Sequence, residues 1–124
     1  MEKKFNCIIV GVYNVFHTFD TNKINHYNYI MTAFDKYLNE DGIIVFAPSS
    51  NMRDVRLVIE ENKEDIMKKY TIINMNFNTD VDAFNIIILK KTTLNKDEHT
   101  IYEDNIYEKL NEILNIYDNK VIFN

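Results

Sequence analysis

Four polar side chains follow two apolar runs of the sequence, and their types and positions suit binding or catalysis. Tyr13, Asn14 and His17 follow the first run, and Ser49 follows the second. Histidine transfers protons near neutral pH, and the other three side chains donate and accept hydrogen bonds. Such a set can bind a polar ligand. In a small nucleotide-binding or nucleotide-cleaving domain, Asn14, His17 and Ser49 would contact the nucleotide.

Other reactive side chains have structural explanations. Cys7 lies inside an apolar run without a basic neighbour in the sequence, so we interpret it as a buried hydrophobic residue and not as a nucleophile. Asp80 and Asp82 fall in a predicted turn, where aspartate is favoured for local hydrogen bonds. The 3 histidines have no metal-ligand spacing, and we predict no metal site.

A strand–helix–strand unit positions the four candidate side chains. Residues 5–13 and 43–47 are apolar, β-branched runs, typical of strands that are covered on both faces. Residues 24–38 have apolar side chains at steps of three and four, which predicts a helix that ends near Gly42 in a tight turn. Strands joined by a helix lie parallel, and ligands of such sheets bind at the carboxyl ends of the strands.

The middle of the chain predicts a second helix and an antiparallel hairpin. Apolar residues from Val55 to Tyr70 form the buried stripe of the helix. Residues 71–77 alternate between polar and apolar types, as in a half-buried edge strand, whereas residues 84–91 are typical of a central strand. The short connection between these two strands contains several turn-forming residues, so we expect them to be antiparallel.

The last third of the chain predicts a loop followed by a third helix. Residues 92–99 are polar, and Thr100 with Glu103 matches a capping box that would begin the helix. Residues 120–124 form either a short last strand or a packed tail. The resulting order, β-α-β-α-β-β-α, predicts a single α/β domain over residues 1–124. It has three layers and a mixed sheet of four or five strands.

Composition excludes several function classes. The net charge is −5, and the lysine pairs 3–4, 68–69 and 90–91 are isolated from one another in the sequence, which argues against duplex nucleic acid as a partner. The apolar runs are too short to cross a membrane, and no signal peptide is visible. One cysteine suits a reducing compartment, and we expect a cytoplasmic protein. Heavy use of Asn, Ile, Lys and Tyr suggests an AT-rich genome.

Three segments resemble the carboxyl-terminal half of a class I S-adenosylmethionine-dependent methyltransferase. Residues 8–17 resemble the family's hydrophobic run followed by N-x-x-H. Residues 38–45 are similar to its turn before a strand, although they lack the proline and the first glycine. Residues 70–91 resemble its last hairpin. The resemblance implies a Rossmann-like sheet in which the second hairpin strand lies beside residues 43–47 and residues 71–77 form the edge.

The same resemblance implies a module without a cofactor site of its own. The family binds its cofactor with a glycine-rich turn, but the 2 glycines here, Gly11 and Gly42, form no G-x-G loop. The chain would then be a subunit or a degenerate binding module, and S-adenosylmethionine would bind only if a partner chain completed the site. Tyr13, Asn14 and His17 would line the substrate side of the crevice.

A half-sheet of this kind exposes one apolar strand edge. The strand that begins at residue 5 would lack the neighbour that the family's first strand provides, so we expect either residues 121–123, a protein partner or a second copy of the chain to cover it. A different interpretation is a small viral or mobile-element regulatory or inhibitory protein. Such a protein would bind another protein through its acidic surface, and the 8 tyrosines suit that role.

Overall fold

A six-stranded sheet forms the centre of the molecule. The structure, a computed structural model, describes residues 4–10, 32–46, 52–77, 85–93 and 96–123. The strands are β1 (Phe5–Val10), β2 (Leu38–Phe46), β3 (Tyr70–Phe77), β4 (Ile86–Lys91), β5 (Glu98–Glu103) and β6 (Lys120–Phe123). The helices are α1 (Met52–Glu61), α2 (Lys63–Ile66) and α3 (Ile106–Ile116), and residues 32–37 are also helical.

The sheet is mixed, with the strand order β5-β3-β4-β2-β1-β6. β4 is antiparallel to its neighbours β2 and β3, and the other three pairings are parallel. The predicted α/β class, the parallel pairing of β1 with β2 and the antiparallel hairpin of β3 with β4 are confirmed. The predicted number of strands, four or five, is wrong, because β5 and β6 both extend the sheet.

Apolar side chains cover both faces of the sheet and create three layers. Alternate residues of β1, β2 and β4 point to opposite faces, as pleated strands require. One core lies between the sheet and the helices α1 and α2, together with Phe34 from the helical residues 32–37; it contains Ile8, Val10, Leu38, Ile44, Phe46, Val55, Val58, Ile59, Ile66, Tyr70, Ile72, Ile87 and Leu89. The other core lies beneath α3 and contains Cys7, Ile43, Val45, Met75, Ile86, Ile88 and Ile113.

β5 replaces a predicted loop and capping box. Residues 98–103 pair in parallel with β3, so residues 71–77 are not an edge strand. Thr100 and Glu103 lie on β5, and α3 instead begins after Asn105, whose side chain accepts a 3.0 Å hydrogen bond from the backbone N–H of Glu108. Because β5 mixes polar and apolar residues, as edge strands do, its sequence is also compatible with a loop and a helix start.

The second predicted helix is shorter than its apolar stripe suggests. α1 ends at Glu61, and α2 ends at Ile66, so Tyr70 is the first residue of β3 and not part of a helix. Tyr70 is fully buried, as predicted, because the first residue of β3 faces the same core as the helical stripe. Burial alone therefore did not distinguish the helix from the strand.

Gly42 lies inside β2 and does not end a helix. The register passes from Phe5 opposite Leu38 to Cys7 opposite Ile43, so β2 bulges over residues 39–42. A Cβ atom on Gly42 would lie 2.8 Å from the carbonyl oxygen of Asn39. Close packing within the bulge requires the glycine, whereas the left-handed backbone belongs to Asp41, with φ of 63°.

β6 covers the edge of β1. Cys7 to Val10 pair in parallel with Lys120 to Phe123, so the end of the chain is a strand and not a packed tail. Asn6 extends the pairing, because its backbone N–H donates a 3.0 Å hydrogen bond to the carbonyl of Asn119. The chain itself therefore supplies the neighbour that β1 needs on this side.

Candidate functional site

The four sequence-predicted site residues lie outside the described part of the chain. These are Tyr13, Asn14, His17 and Ser49, and the predicted turn with Asp80 and Asp82 lies outside it as well. β1 and β2 are described as far as Val10 and Phe46, which are register partners. The polar residues that follow these strands therefore start from neighbouring points, and their role as a binding site stays a prediction.

A lysine-lined cleft lies at the other end of the strands, near the amino ends of β2, β3 and β5. We call it the lysine cleft, and its volume is about 270 Å³. It is lined by four lysines, two threonines and two carboxylates: Lys68, Lys69, Lys91, Lys96, Thr92, Thr93, Asp35 and Glu40. This concentration of positive charge contrasts with the net charge of −5 of the whole chain.

The hairpin of β3 and β4 brings the lysines together. Tyr70 at the start of β3 pairs with Lys91 at the end of β4, and the backbone N–H of Thr92 donates a 3.1 Å hydrogen bond to the carbonyl of Lys69. Two lysine pairs that are separate in the sequence thus each contribute to one cleft. The antiparallel register of the predicted hairpin is the sequence signal for this cleft, because it sets residues 68–69 beside residues 90–91.

Asp35 is the acidic centre of the lysine cleft. Its carboxylate accepts a 2.6 Å hydrogen bond from the hydroxyl of Tyr70, and it lies 3.3 Å from the ammonium of Lys69 and 3.3 Å from that of Lys91. Partial burial acts to raise the pKa of Asp35, but the Tyr70 hydroxyl and the two lysines outweigh it and hold the pKa below the usual 3.8.

Lys91 supports the fold as well as the charge of the cleft. Its ammonium donates to the backbone carbonyls of Asp35 and Leu38, at 3.2 Å and 3.1 Å. These carbonyls lie at the carboxyl end of the helical residues 32–37, where a cation is favourable. The side chain of Lys91 is only 14% exposed, whereas those of Lys68 and Lys69 are 74% and 61% exposed. The ammonium of Lys68 lies 3.0 Å from the carboxylate of Asp65, whereas Lys69 shares Asp35 with Lys91.

A second cleft, at the carboxyl end of β5, is acidic. Its volume is about 240 Å³, and it is lined by Glu103, Asp104, Asn105, Glu108, Lys109 and Glu112. The ammonium of Lys109 lies 3.4 Å from Glu103 and 3.7 Å from Glu112, so one cation partly balances four carboxylates. The described sheet thus has a lysine-rich cleft near the amino ends of β2, β3 and β5, and an acidic cleft near the carboxyl end of β5.

Cys7 has the environment of a structural residue. It is fully buried beneath α3, and burial raises the pKa of its thiol to about 11, an effect that the charge of Lys120 only partly offsets. Thiolate is therefore scarce near neutral pH. The prediction that Cys7 is a buried hydrophobic residue is confirmed.

Comparisons with known proteins give no relative. No protein-family model, curated protein or solved structure matches the chain. Among the described residues, no helix has the length and apolar character needed to span a membrane. Within the same ranges, no three or more histidine, cysteine, aspartate or glutamate side chains are grouped so that they could hold a metal ion.

Proposed function

We propose that this chain is a methyltransferase-like module that acts by binding, as a subunit or a degenerate relative, and not as a complete enzyme. The observation that carries the proposal is the position of β4. This strand lies antiparallel between β2 and β3, while β1 lies parallel on the other side of β2. Over these four strands, the order β3-β4-β2-β1 is the one that the resemblance to class I methyltransferases implies, whereas β5 departs from it because it lies outside β3.

The position of β6 argues against the subunit form of this proposal and in favour of the degenerate binding module. In the family sheet, the strand that β1 resembles pairs with the first strand of the fold, and here β6 lies parallel to β1 on that side. The chain thus fills the position of the first strand with a segment of its own. A module built in this way has no exposed β1 edge and is expected to fold without a partner. Any partner would then bind at another surface.

The two glycines support a module that has no cofactor site of its own. Gly42 is buried within the bulge of β2, where an added Cβ atom would meet Leu38 and Asn39, so this glycine serves close packing. Gly11, the other glycine, is not part of a G-x-G sequence. A cofactor cradle of the family type needs several glycines in one turn.

Calorimetric titration with S-adenosylmethionine tests the proposal. We expect no saturable heat from the chain alone, because no residue described here can take the role of the glycine-rich turn. S-adenosylhomocysteine, the demethylated product, is the matched second ligand and is also expected not to bind. Saturable one-to-one binding of either compound would contradict the proposal, since it would require a cofactor site within these residues.

A second candidate function is that of a regulatory or inhibitory protein which binds another protein through its acidic surface. The acidic cleft favours this candidate, because four carboxylates surround it. Affinity capture from the native host, with the unchanged chain and with the double variant Glu108→Lys and Glu112→Lys, tests it. A protein retained only by the unchanged chain would support acidic recognition. Equal retention by both forms would contradict it.

A further inference from the structure

We propose that the lysine cleft binds the phosphate groups of a small, soluble anion. The cleft is lined by four lysines and two carboxylates, Asp35 and Glu40, and a third carboxylate, that of Asp65, lies 3.0 Å from the ammonium of Lys68. The chain as a whole has 14 basic and 19 acidic residues, so this local excess of positive charge runs against the overall composition. Ammonium groups gathered around a concave surface attract anions more strongly than the same groups spread over the protein.

The charges of the cleft are only partly compensated. Asp35 is shared by Lys69 and Lys91, and it also accepts the hydrogen bond from Tyr70. Glu40 lies 4.0 Å from Lys91, but its side chain is largely exposed. Lys91 already directs its three N–H donors to the Asp35 carboxylate and to the carbonyls of Asp35 and Leu38. Lys69 shares the same carboxylate, and since an ammonium has three N–H donors, Lys69 keeps donor capacity for a further anion.

The backbone holds the cleft residues in place before any ligand binds. Lys96 donates from its ammonium to the backbone carbonyl of Lys68, and Thr92 is tied to Lys69 through the main chain. Next to Lys96, the backbone carbonyl of Asp97 accepts a 2.8 Å hydrogen bond from the backbone N–H of Ile72. These contacts join the segments before β3 and β5 to the end of β4. A site ordered in advance loses less conformational entropy on binding.

The side chains and the size of the cleft indicate the class of ligand. Lysine binds phosphate as a compact point charge, and the hydroxyl of Thr93 is a potential hydrogen-bond donor to phosphate oxygens. The volume of about 270 Å³ is near the lower end of ligand sites. A compound the size of pyrophosphate suits it, either as a free anion or as the phosphate end of a larger soluble molecule.

Titration calorimetry with sodium pyrophosphate at low ionic strength tests the proposal. We expect saturable binding to the unchanged chain. Lys69→Gln and Lys96→Gln should each weaken the affinity about threefold, and the double variant about tenfold, as expected for the loss of partly screened charges. Glu40→Gln removes a negative charge beside Lys91 and should strengthen binding about twofold.

Lys120→Gln is the matched control, because it changes the net charge equally and lies on β6, away from the cleft. It should leave the affinity for pyrophosphate unchanged. The proposal is overturned if pyrophosphate does not bind saturably, or if Lys120→Gln weakens binding as much as the cleft variants. If Lys69→Gln loses its folded circular dichroism spectrum, Lys69→Arg, which keeps the charge, must retain binding. Adenosine 5′-diphosphate binding more tightly than pyrophosphate would identify the phosphate end of a larger molecule as the ligand.

Discussion

The hydroxyl of Tyr70 donates a 2.6 Å hydrogen bond to the carboxylate of Asp35, 35 residues earlier in the chain. Tyr70 is fully buried, whereas the side chain of Asp35 is 21% exposed. The contact satisfies a buried hydroxyl at the boundary of the core and joins the helical residues 32–37 to the start of β3. It therefore links the stability of one apolar core to the charge arrangement of the lysine cleft.

Removing the acidic partner should destabilise the fold more than removing the hydroxyl. Asp35→Asn weakens the hydrogen bond from Tyr70 and the ion pairs with Lys69 and Lys91, and we expect a loss of about 2 kcal/mol in the free energy of unfolding. Tyr70→Phe keeps the ring in the core and should cost about 1 kcal/mol. Urea denaturation of both variants measures these losses. An unchanged stability in Asp35→Asn would contradict the described network.

The carboxylate of Asp35 should also make the free energy of unfolding depend on pH. The pKa of Asp35 is lower in the folded chain than its usual 3.8, so its ionisation stabilises the fold fully above that value. The contribution is lost as the pH falls through the lower, folded-state pKa. The stability difference between the unchanged chain and Asp35→Asn should therefore shrink as the pH is lowered from about 5 to about 2. A difference that stays constant or grows would contradict this assignment.

The bulge of β2 should tolerate a substitution at Asp41 and not at its neighbour Gly42. Gly42→Ala places a Cβ atom 2.8 Å from a backbone oxygen, and we expect a loss of about 2 kcal/mol, since the backbone must shift. Asp41→Gly is the matched control. It relieves a left-handed backbone with φ of 63°, which offsets the entropy that glycine adds to the unfolded chain. Thermal unfolding measures both, and equal effects would argue against the close contact at Gly42.

Removal of β6 should expose β1 as an edge. A chain that ends at Asn119 lacks the parallel partner of Cys7 to Val10, and open apolar edges promote pairing between molecules. Multi-angle light scattering should therefore find the unchanged chain to be monomeric and the shortened chain to be dimeric or aggregated. A shortened chain that stays monomeric and folded would indicate that β6 does not protect this edge.

The sequence predicted the centre of the sheet better than its margins. β1, β2 and β4 contain the apolar runs 7–10, 43–46 and 86–89, and such runs identify strands that are covered on both faces. β5 was missed because Glu98, Thr100 and Glu103 are as common in loops and helix starts as in edge strands. Its position depends on pairing with β3, which is a contact between distant segments and leaves little periodic signal.

The lysine cleft was missed for a related reason. The sequence places Lys68 and Lys69 far from Lys91, and they were interpreted as isolated pairs. Only the register of the hairpin, Tyr70 opposite Lys91, brings them together. Asp35 was not singled out either, because a carboxylate on a helix is usually solvated. Its partner Tyr70 was predicted on a helix, so their contact was not visible in the pattern.

Nuclear magnetic resonance titration of the isotope-labelled chain tests the central claim most directly. It compares, in one sample, the lysine cleft with the residues that follow β1 and β2. Pyrophosphate should shift the amide signals of Lys69, Thr92 and Lys96 in the lysine cleft, and S-adenosylmethionine should shift none. That result would support a binding module without its own cofactor site. Saturable shifts with S-adenosylmethionine in the residues that follow β1 and β2 would contradict the account.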